Sequence, residues 1–212
     1  SKNAIHNSAT KTSTVTISVM IDTRVLAGDA RVQALDSVAA LRISVFRDWP
    51  YLYDGSLAYE RDYLRTYIDS PNAILVGAFD GDRLVGASTG TPMRDHADDF
   101  SAAFVNHGMD LGDIFYCAES VLLPEYRGQG LGHRFFDLRE SHALALGFSH
   151  SAFCAVQRPN DHPHKPPEYR PLDAFWRGRG YRPLPVVIRR FSWKKLYPTN
   201  TSFRSLICWI KP

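Results

Sequence analysis

Residues 115–147 restrict the fold more than any other part of the chain. An apolar run over 115–123, with Phe115, Tyr116 and Val121, is short and bounded, as a buried strand is. Pro124 stops it, because proline has no N–H to give to a ladder. Gly128, Gly130 and Gly132 follow at alternate positions. Leu131, Phe135, Leu138 and His142 then recur at helical spacing, and Gly147 marks the end of the helix. A glycine loop between a strand and a helix lets a ligand approach the backbone closely. The first helical turn adds N–H groups without intrahelical partners and the positive end of the helix dipole. Together these make an anion cradle best suited to phosphate.

Three phosphate-loop patterns can be compared with this stretch. A nucleoside-triphosphate loop closes on Lys-Ser or Lys-Thr, which is missing here. A dinucleotide fingerprint needs a third glycine where His133 stands. The pattern R/Q-x-x-G-x-G/A is met by Arg127, Gly130 and Gly132, after a strand that ends in Pro124-Glu125-Tyr126. With that context the stretch resembles the GNAT superfamily of acetyl-coenzyme A-dependent N-acetyltransferases. The segment Phe175-Trp176-Arg177-Gly178-Arg179-Gly180-Tyr181 resembles the same family's Phe-Tyr-x-x-x-Gly-Phe helix end. The resemblance covers roughly residues 14–193 and is least specific before residue 70.

The chain has the length of one large domain, and its 44% hydrophobic and 22% charged residues are ordinary for a globular protein. Residues 1–13 are polar and read as a flexible N-terminal tail, leaving 14–212 as a single domain. No apolar run is long enough to span a membrane, and no charged-then-apolar leader opens the sequence. Cys117, Cys154 and Cys208 lie in apolar runs without C-x-x-C spacing. They read as reduced, buried thiols of a cytoplasmic protein. Residues 165–212 hold 11 Lys/Arg against 2 Asp/Glu, whereas 1–164 hold 14 against 20. A basic final quarter suits an anionic ligand or a solvated face. No nucleic-acid motif accompanies it.

Taken in order, 14–22 alternates Val15, Ile17, Val19 and Ile21 and predicts a strand. A helix follows from Gly28-Asp29, with Asp29 as N-cap, to about Phe46. Residues 48–55 form a loop with Trp49, Tyr51 and Tyr53. Ser56 opens a second helix, with Glu60 near a capping-box position, that ends at Ser70-Pro71. Strands over 73–79 and 84–93 flank Asp80-Gly81-Asp82-Arg83, a hairpin signal. Residues 94–112 are an excursion with a short helix near 100–106. The strand 149–156 follows the central unit, and five prolines between 157 and 171 keep the next segment irregular. A short helix over 172–179 and strands over 186–193 and 203–210 complete the chain. The expected class is α/β of the α+β type: the resemblance implies a mixed, mostly antiparallel sheet, splayed between its fourth and fifth strands and flanked by helices.

The resemblance also assigns roles. The pantetheine arm of acetyl-CoA would bond to the fourth-strand backbone at Val121, Leu122 and Leu123, as an added strand does. Its pyrophosphate would rest on the loop amides of Gly128, Gln129, Gly130, Leu131, Gly132 and His133, with Arg127 and Phe175 alongside. Glu119 lies inside the apolar run, where burial raises a carboxylate toward useful basicity. It reads either as the general base or as the structural partner of an arginine such as Arg42 or Arg139. An amide near Leu122 would stabilise the thioester oxygen. The family's proton-donating tyrosine is replaced by Trp176, and its asparagine seven residues earlier by Tyr169. Indole cannot serve as that acid. Tyr169, Tyr181 and Cys154 are the candidate substitutes, and a thiolate can also leave unaided. Trp49, Tyr51 and Tyr53 would shape the acceptor side. Arg158 would bind a substrate carboxylate there or form a surface salt bridge. His162 and His164, beside Asp161, are too few for a metal site, and no metal is expected.

These features imply N-acetyl transfer from acetyl-CoA to a primary amine of a small molecule, by direct attack in a ternary complex. The alternatives are acetylation of a protein N-terminus or lysine, or a non-catalytic acyl-CoA-binding module of the same fold. The expected partner is a small amine, without nucleic acid or membrane, and a homodimer is left open.

Overall fold

Asp80-Gly81 turns the chain as its chemistry requires. Gly81 has φ +58, and the strands on either side, β2 (Ile74–Asp80) and β3 (Arg83–Pro92), pair antiparallel with Asp80 opposite Arg83. The computed structural model describes residues 20–96, 101–188 and 205–212, with the backbone alone for 186–188. The expected tail over 1–13 lies outside the described residues.

Around this hairpin stand β1 (Asp22–Leu26), β4 (Ile114–Tyr116), β5 (Ser120–Leu122), β6 (His150–Gln157), β7 (Arg182–Ile188) and β8 (Ser205–Lys211). The sheet runs β1-β2-β3-β4-β6-β8-β7, and β5 pairs with β3. Only β4 and β6 are parallel among these pairings, so the sheet is mixed and mostly antiparallel, as expected. The helices are α1 (Asp29–Gln33), α2 (Leu35–Phe46), α3 (Leu57–Asp69), α4 (Ser101–Val105), α5 (Leu131–Ala145) and α6 (Asp173–Gly178).

Alternation along β2 divides the core. Leu75 joins Val38, Leu41, Phe46, Leu64 and Tyr67 of α2 and α3, while Ile74, Val76 and Ala78 join Phe135 and Phe136 of α5. Phe153, Tyr181 and Trp209 extend the second group, and Trp176 and Phe175 pack against it from α6. A third group gathers Met93, Phe104, Ile114, Tyr116, Ala152 and Cys208.

Several sequence expectations change. Most of the strand predicted over 14–22 lies outside the described residues. The first strand seen is Asp22–Leu26, because that segment is the one in register with Phe79 to Leu75. The helix expected from Asp29 breaks at Ala34, and Gly28 takes the N-cap position in place of Asp29. Ser56 caps α3 as expected, its hydroxyl accepting from the Tyr59 amide. The last part of the strand predicted over 186–193 lies outside the described residues; β7 starts earlier, at Arg182.

The cysteine reading is corrected. Cys154 and Cys208 are directly opposite in the β6–β8 ladder and form a disulfide; only Cys117 is a free thiol. Spacing could not show this, because the two positions meet only once β8 inserts beside β6. The bond also removes the ground for a cytoplasmic location; among the described residues no helix is long and apolar enough to cross a membrane. Two results are expected. Unfolded, unreduced protein should take up alkylating reagent at one cysteine only, and reduction should cost about 2–4 kcal/mol of stability. Labelling at all three positions without reductant would contradict the bond.

Candidate functional site

The apolar run 115–123 does not form one strand. Its first part, β4, pairs with Thr91 and Pro92 of β3, and its second part, β5, pairs with Gly86 to Ser88. Between them the register slips by one residue, a bulge at 117–119. On the other side, β4 lies beside β6 only as far as Tyr116 opposite Ala152, and the Cys117 amide makes a last bond to the Ala152 carbonyl at 2.7 Å. Beyond it β5 stays with β3 while β6 follows β8, so the sheet opens between them.

Alternation decides which backbone groups face this opening. The Glu119 carbonyl accepts from the Thr89 amide, and the Leu123 amide donates to the Val85 carbonyl. Residues 119, 121 and 123 therefore face β3, and the N–H and C=O of Ser120 and Leu122 face the parted side. Of the three positions expected to bond a cofactor, Val121 and Leu123 are directed to the ladder and Leu122 is directed outward. Ser120, which sequence reasoning missed, joins it. Leu122's carbonyl already accepts from Arg127 Nε at 3.1 Å.

The glycine loop sits at the end of β5. A 3₁₀ turn over Pro124–Tyr126 starts it, and the Tyr126 hydroxyl donates to Asp80 at 2.6 Å, fixing the loop to the hairpin. Gln129 reaches back to the Glu125 carbonyl. Gly128 and Gly130 have φ +76 and +81, the left-handed region where glycine carries no penalty. Gly130 caps α5 without any side-chain bond, and the first amide to bond back into the helix is that of Arg134, to Gly130 at 3.1 Å. The amides of Leu131, Gly132 and His133 thus begin the helix without intrahelical acceptors. A Cβ built on Gly128 or Gly130 would meet nothing within 4 Å, so among the described residues no side chain lies against either glycine. A Cβ on Gly132 would come 3.5 Å from the Phe175 ring, which lies 4.6 Å from that of His133. The residues present suit a pyrophosphate.

At the bulge, Glu119 is the centre of a buried polar group. Arg42 of α2 donates to both Glu119 and Glu60, each in a close ion pair. Glu60 is fully buried and also accepts the Tyr53 hydroxyl at 2.8 Å. It is a counter-ion and not the helix cap its spacing suggested. Tyr63 donates to the second oxygen of Glu119 at 3.1 Å, and its own hydroxyl lies 3.2 Å from that of Tyr67. Arg42 also stands 4.4 Å over the Tyr63 ring. Burial alone would lower the Arg42 pKa; the charges of Glu119 and Glu60 and the Tyr63 hydroxyl outweigh it and raise it. Arg139 takes a different part: it donates to the Glu119 main-chain carbonyl, to Thr89 O and to the Ser120 hydroxyl, holding the bulge from α5.

The aromatic and proline-rich loops meet. Trp49 lies 4.9 Å from the His162 ring and 6.0 Å from that of Tyr169. Tyr51 packs on Phe46 at 4.3 Å. Burial first, then the charge of Glu119 and the Tyr169 hydroxyl, push its pKa up to about 12. Tyr53 turns inward to Glu60 and belongs to the core. Arg158, half-buried, donates through its guanidinium to the main-chain carbonyls of Pro50 and Tyr51 and ties the two loops together.

Trp176 packs between Phe153 and Trp209, 5.0 and 5.1 Å from their rings. Tyr181 is buried and donates to Glu140 at 3.0 Å, and Cys154 has no thiol to give. Tyr169 is half-buried beside Trp49. Two cations of the basic final quarter have acidic partners among the described residues: Arg179 pairs with Asp137 and Glu140, and Lys211 with Glu140. His162 and His164 lie side by side, and among the described residues no group of three or more His, Cys, Asp or Glu could hold a metal.

Similar folds carry acetyl transfer. An acetyltransferase of the GNAT family from Streptococcus pneumoniae is 18% identical, with 91% of this chain and 99% of that one covered at a TM-score of 0.56. A phosphinothricin acetyltransferase from Sinorhizobium meliloti, solved in complex with AcCoA, is 16% identical over 91% and 88% at 0.56. A ribosomal-protein-alanine N-acetyltransferase from Brucella melitensis is 12% identical over 89% and 98% at 0.58. No curated protein sequence matches the chain. The sequence model of the acetyltransferase (GNAT) family matches residues 39–165, which take in the parted strands, the glycine cradle, the aromatic loop and the first part of the proline-rich loop. With that match over more than half its length, the chain belongs to the GNAT family of acetyltransferases, whose acetyl donor is acetyl-CoA.

Proposed function

We propose that the protein acetylates a primary amine of a small molecule by direct attack on acetyl-CoA in a ternary complex. The observation that carries this reading is the opening between β5 and β6, with the glycine cradle at one end and Glu119 at the other. In the ternary complex the amine nitrogen bonds to the thioester carbon, the C–S bond breaks, the electron pair leaves on coenzyme A sulfur, and the second proton of the nitrogen passes to solvent. The Leu122 amide, directed into the opening, is the donor assigned to the thioester oxygen. Glu119 is assigned the proton of the ammonium: Arg42 holds one oxygen, while the other meets the Tyr63 hydroxyl at a longer distance. Trp176 and Tyr181 are packed or already bonded, so the thiolate departs without a side-chain acid.

Glu119→Gln should lower kcat about 10²-fold per folded molecule and leave acetyl-CoA affinity nearly intact. It should also melt earlier, since Arg42 loses a charged partner. Earlier melting with normal turnover would end the catalytic assignment and leave Glu119 as a counter-ion only. For the leaving group, Tyr169→Phe and Tyr181→Phe should each keep kcat within a few-fold, and Trp176→Tyr should remain active. A large loss in either Phe variant, at unchanged stability and cofactor affinity, would show that a phenol protonates the thiolate.

A further inference from the structure

We infer that Tyr63 is a positioning residue for the base: its hydroxyl holds Glu119 Oε2 while the carboxylate is ionised and accepts from that oxygen once it is protonated, so Oε2 is the oxygen that takes the proton. This rests on the acetyl-transfer reading and concerns the proton-accepting end of that site.

Two carboxylates share one arginine. Arg42 donates to Oε1 of Glu119 and to Oε2 of Glu60. Each has a phenol on its second oxygen: Tyr53 donates to Glu60 at 2.8 Å and Tyr63 to Glu119 at 3.1 Å. The two differ in access. The Glu60 side chain is fully enclosed, whereas that of Glu119 keeps 9% of its surface exposed and Tyr63 is only partly buried. Of the two, only Glu119 is open to a substrate. Other elements meet it elsewhere: Arg139 of α5 bonds its main-chain carbonyl, the Tyr51 phenol of the aromatic loop is raised in pKa by its charge, and the His96 ring lies 6.4 Å from those of Tyr63 and Tyr67.

Donor chemistry separates the two oxygens of Glu119. A guanidinium donates and never accepts. A proton on Oε1 would face the Arg42 N–H, two donors with no acceptor between them, which is costly in a buried place. A hydroxyl both donates and accepts. When Oε2 takes a proton from the ammonium, the new O–H can turn to the Tyr63 oxygen, and the Tyr63 proton turns to the Tyr67 hydroxyl oxygen, 3.2 Å away. One proton moves, from nitrogen to Oε2, and Tyr63 keeps its own. Glu119 and Tyr63 thus stay bonded before and after the transfer. Burial first, then the charge of Glu119, raises the Tyr63 pKa well above the usual phenol range, so the hydroxyl stays neutral and able to donate near neutral pH.

Titration tests this without a known acceptor. The full chain, labelled at the side-chain carboxyl carbon of glutamate and saturated with coenzyme A, is followed by NMR against pH; the Glu119 signal is the one missing from Glu119→Gln. Phenylalanine cannot donate, so in Tyr63→Phe the ionised carboxylate loses a bond and holds its proton to higher pH. The titration midpoint of Glu119 should rise by about one pH unit. Tyr67→Phe leaves Tyr63 on Glu119 and should move the midpoint less, although Tyr67 is the more deeply buried and should lose at least as much melting temperature. A midpoint that stays, falls, or moves as far in Tyr67→Phe would overturn the inference. Coenzyme A release from acetyl-CoA with a panel of primary amines adds the kinetic side. In Tyr63→Phe the acidic limb of kcat/KM should move up by the same interval, with the KM for acetyl-CoA within a few-fold; a limb that stays while the midpoint moves would overturn the positioning role. Normal turnover by Glu119→Gln would instead end the reading of Glu119 as base, a failure that the titrations do not share.

Discussion

Gly130→Glu should abolish measurable acetyl-CoA binding, raising Kd by about 10²-fold or more. Two causes add. The backbone at φ +81 disfavours any side chain by roughly 1–2 kcal/mol, a cost that Gly130→Ala measures by itself. The glutamate then places bulk and a negative charge where the first-turn amides of α5 would receive phosphate. Space around the glycine is open, so the folded protein can accommodate the new side chain and the loss should fall on binding. Calorimetry with acetyl-CoA and a melting curve separate the two. A folded Gly130→Glu protein that binds as tightly as the parent would remove the cradle from the cofactor site.

Arg42→Met should be the most destabilising single change at the acceptor end. It leaves Glu60 and Glu119 facing each other across a buried space without their shared cation. Breaking such a group from one side costs about 3–5 kcal/mol, and a chain of this size loses roughly 2–4 °C of Tm per kcal/mol, so the melting point should fall by about 10 °C or more. Adding Glu60→Gln to the variant should recover part of that loss, because one of the stranded charges is then gone. An Arg42→Met protein that melts within a degree or two of the parent, or a double variant that melts still lower, would show that the group contributes little.

The glycine cradle was legible because its constraint is local: positive φ at alternate positions and a helix start leave a mark in sequence order. The hairpin at Asp80-Gly81 was legible for the same reason. The acceptor end was not. Glu60 reads as a helix-cap residue until α2 and α3 lie side by side and bring Arg42 and Tyr53 to it. Arg158 reads as a surface cation until the loop at Trp49 folds over it. The strand 115–123 is continuous in hydrophobicity, and only the ladder with β3 shows where it slips and turns Ser120 and Leu122 outward. Cys154 and Cys208 are likewise 54 residues apart in sequence and adjacent only in the finished sheet.

The place of β8 has a consequence for how the protein is made. This late segment lies between β6 and β7 and is the partner of both. During synthesis the β1–β5 side can assemble early, but β6 keeps an open edge until Ser205–Lys211 has left the ribosome. The wall of the opening formed by β6 is therefore set last. A nascent chain halted before residue 205 should have its glycine loop translated but β7 and one edge of β6 unpaired, and should depend on chaperones until the final strand arrives.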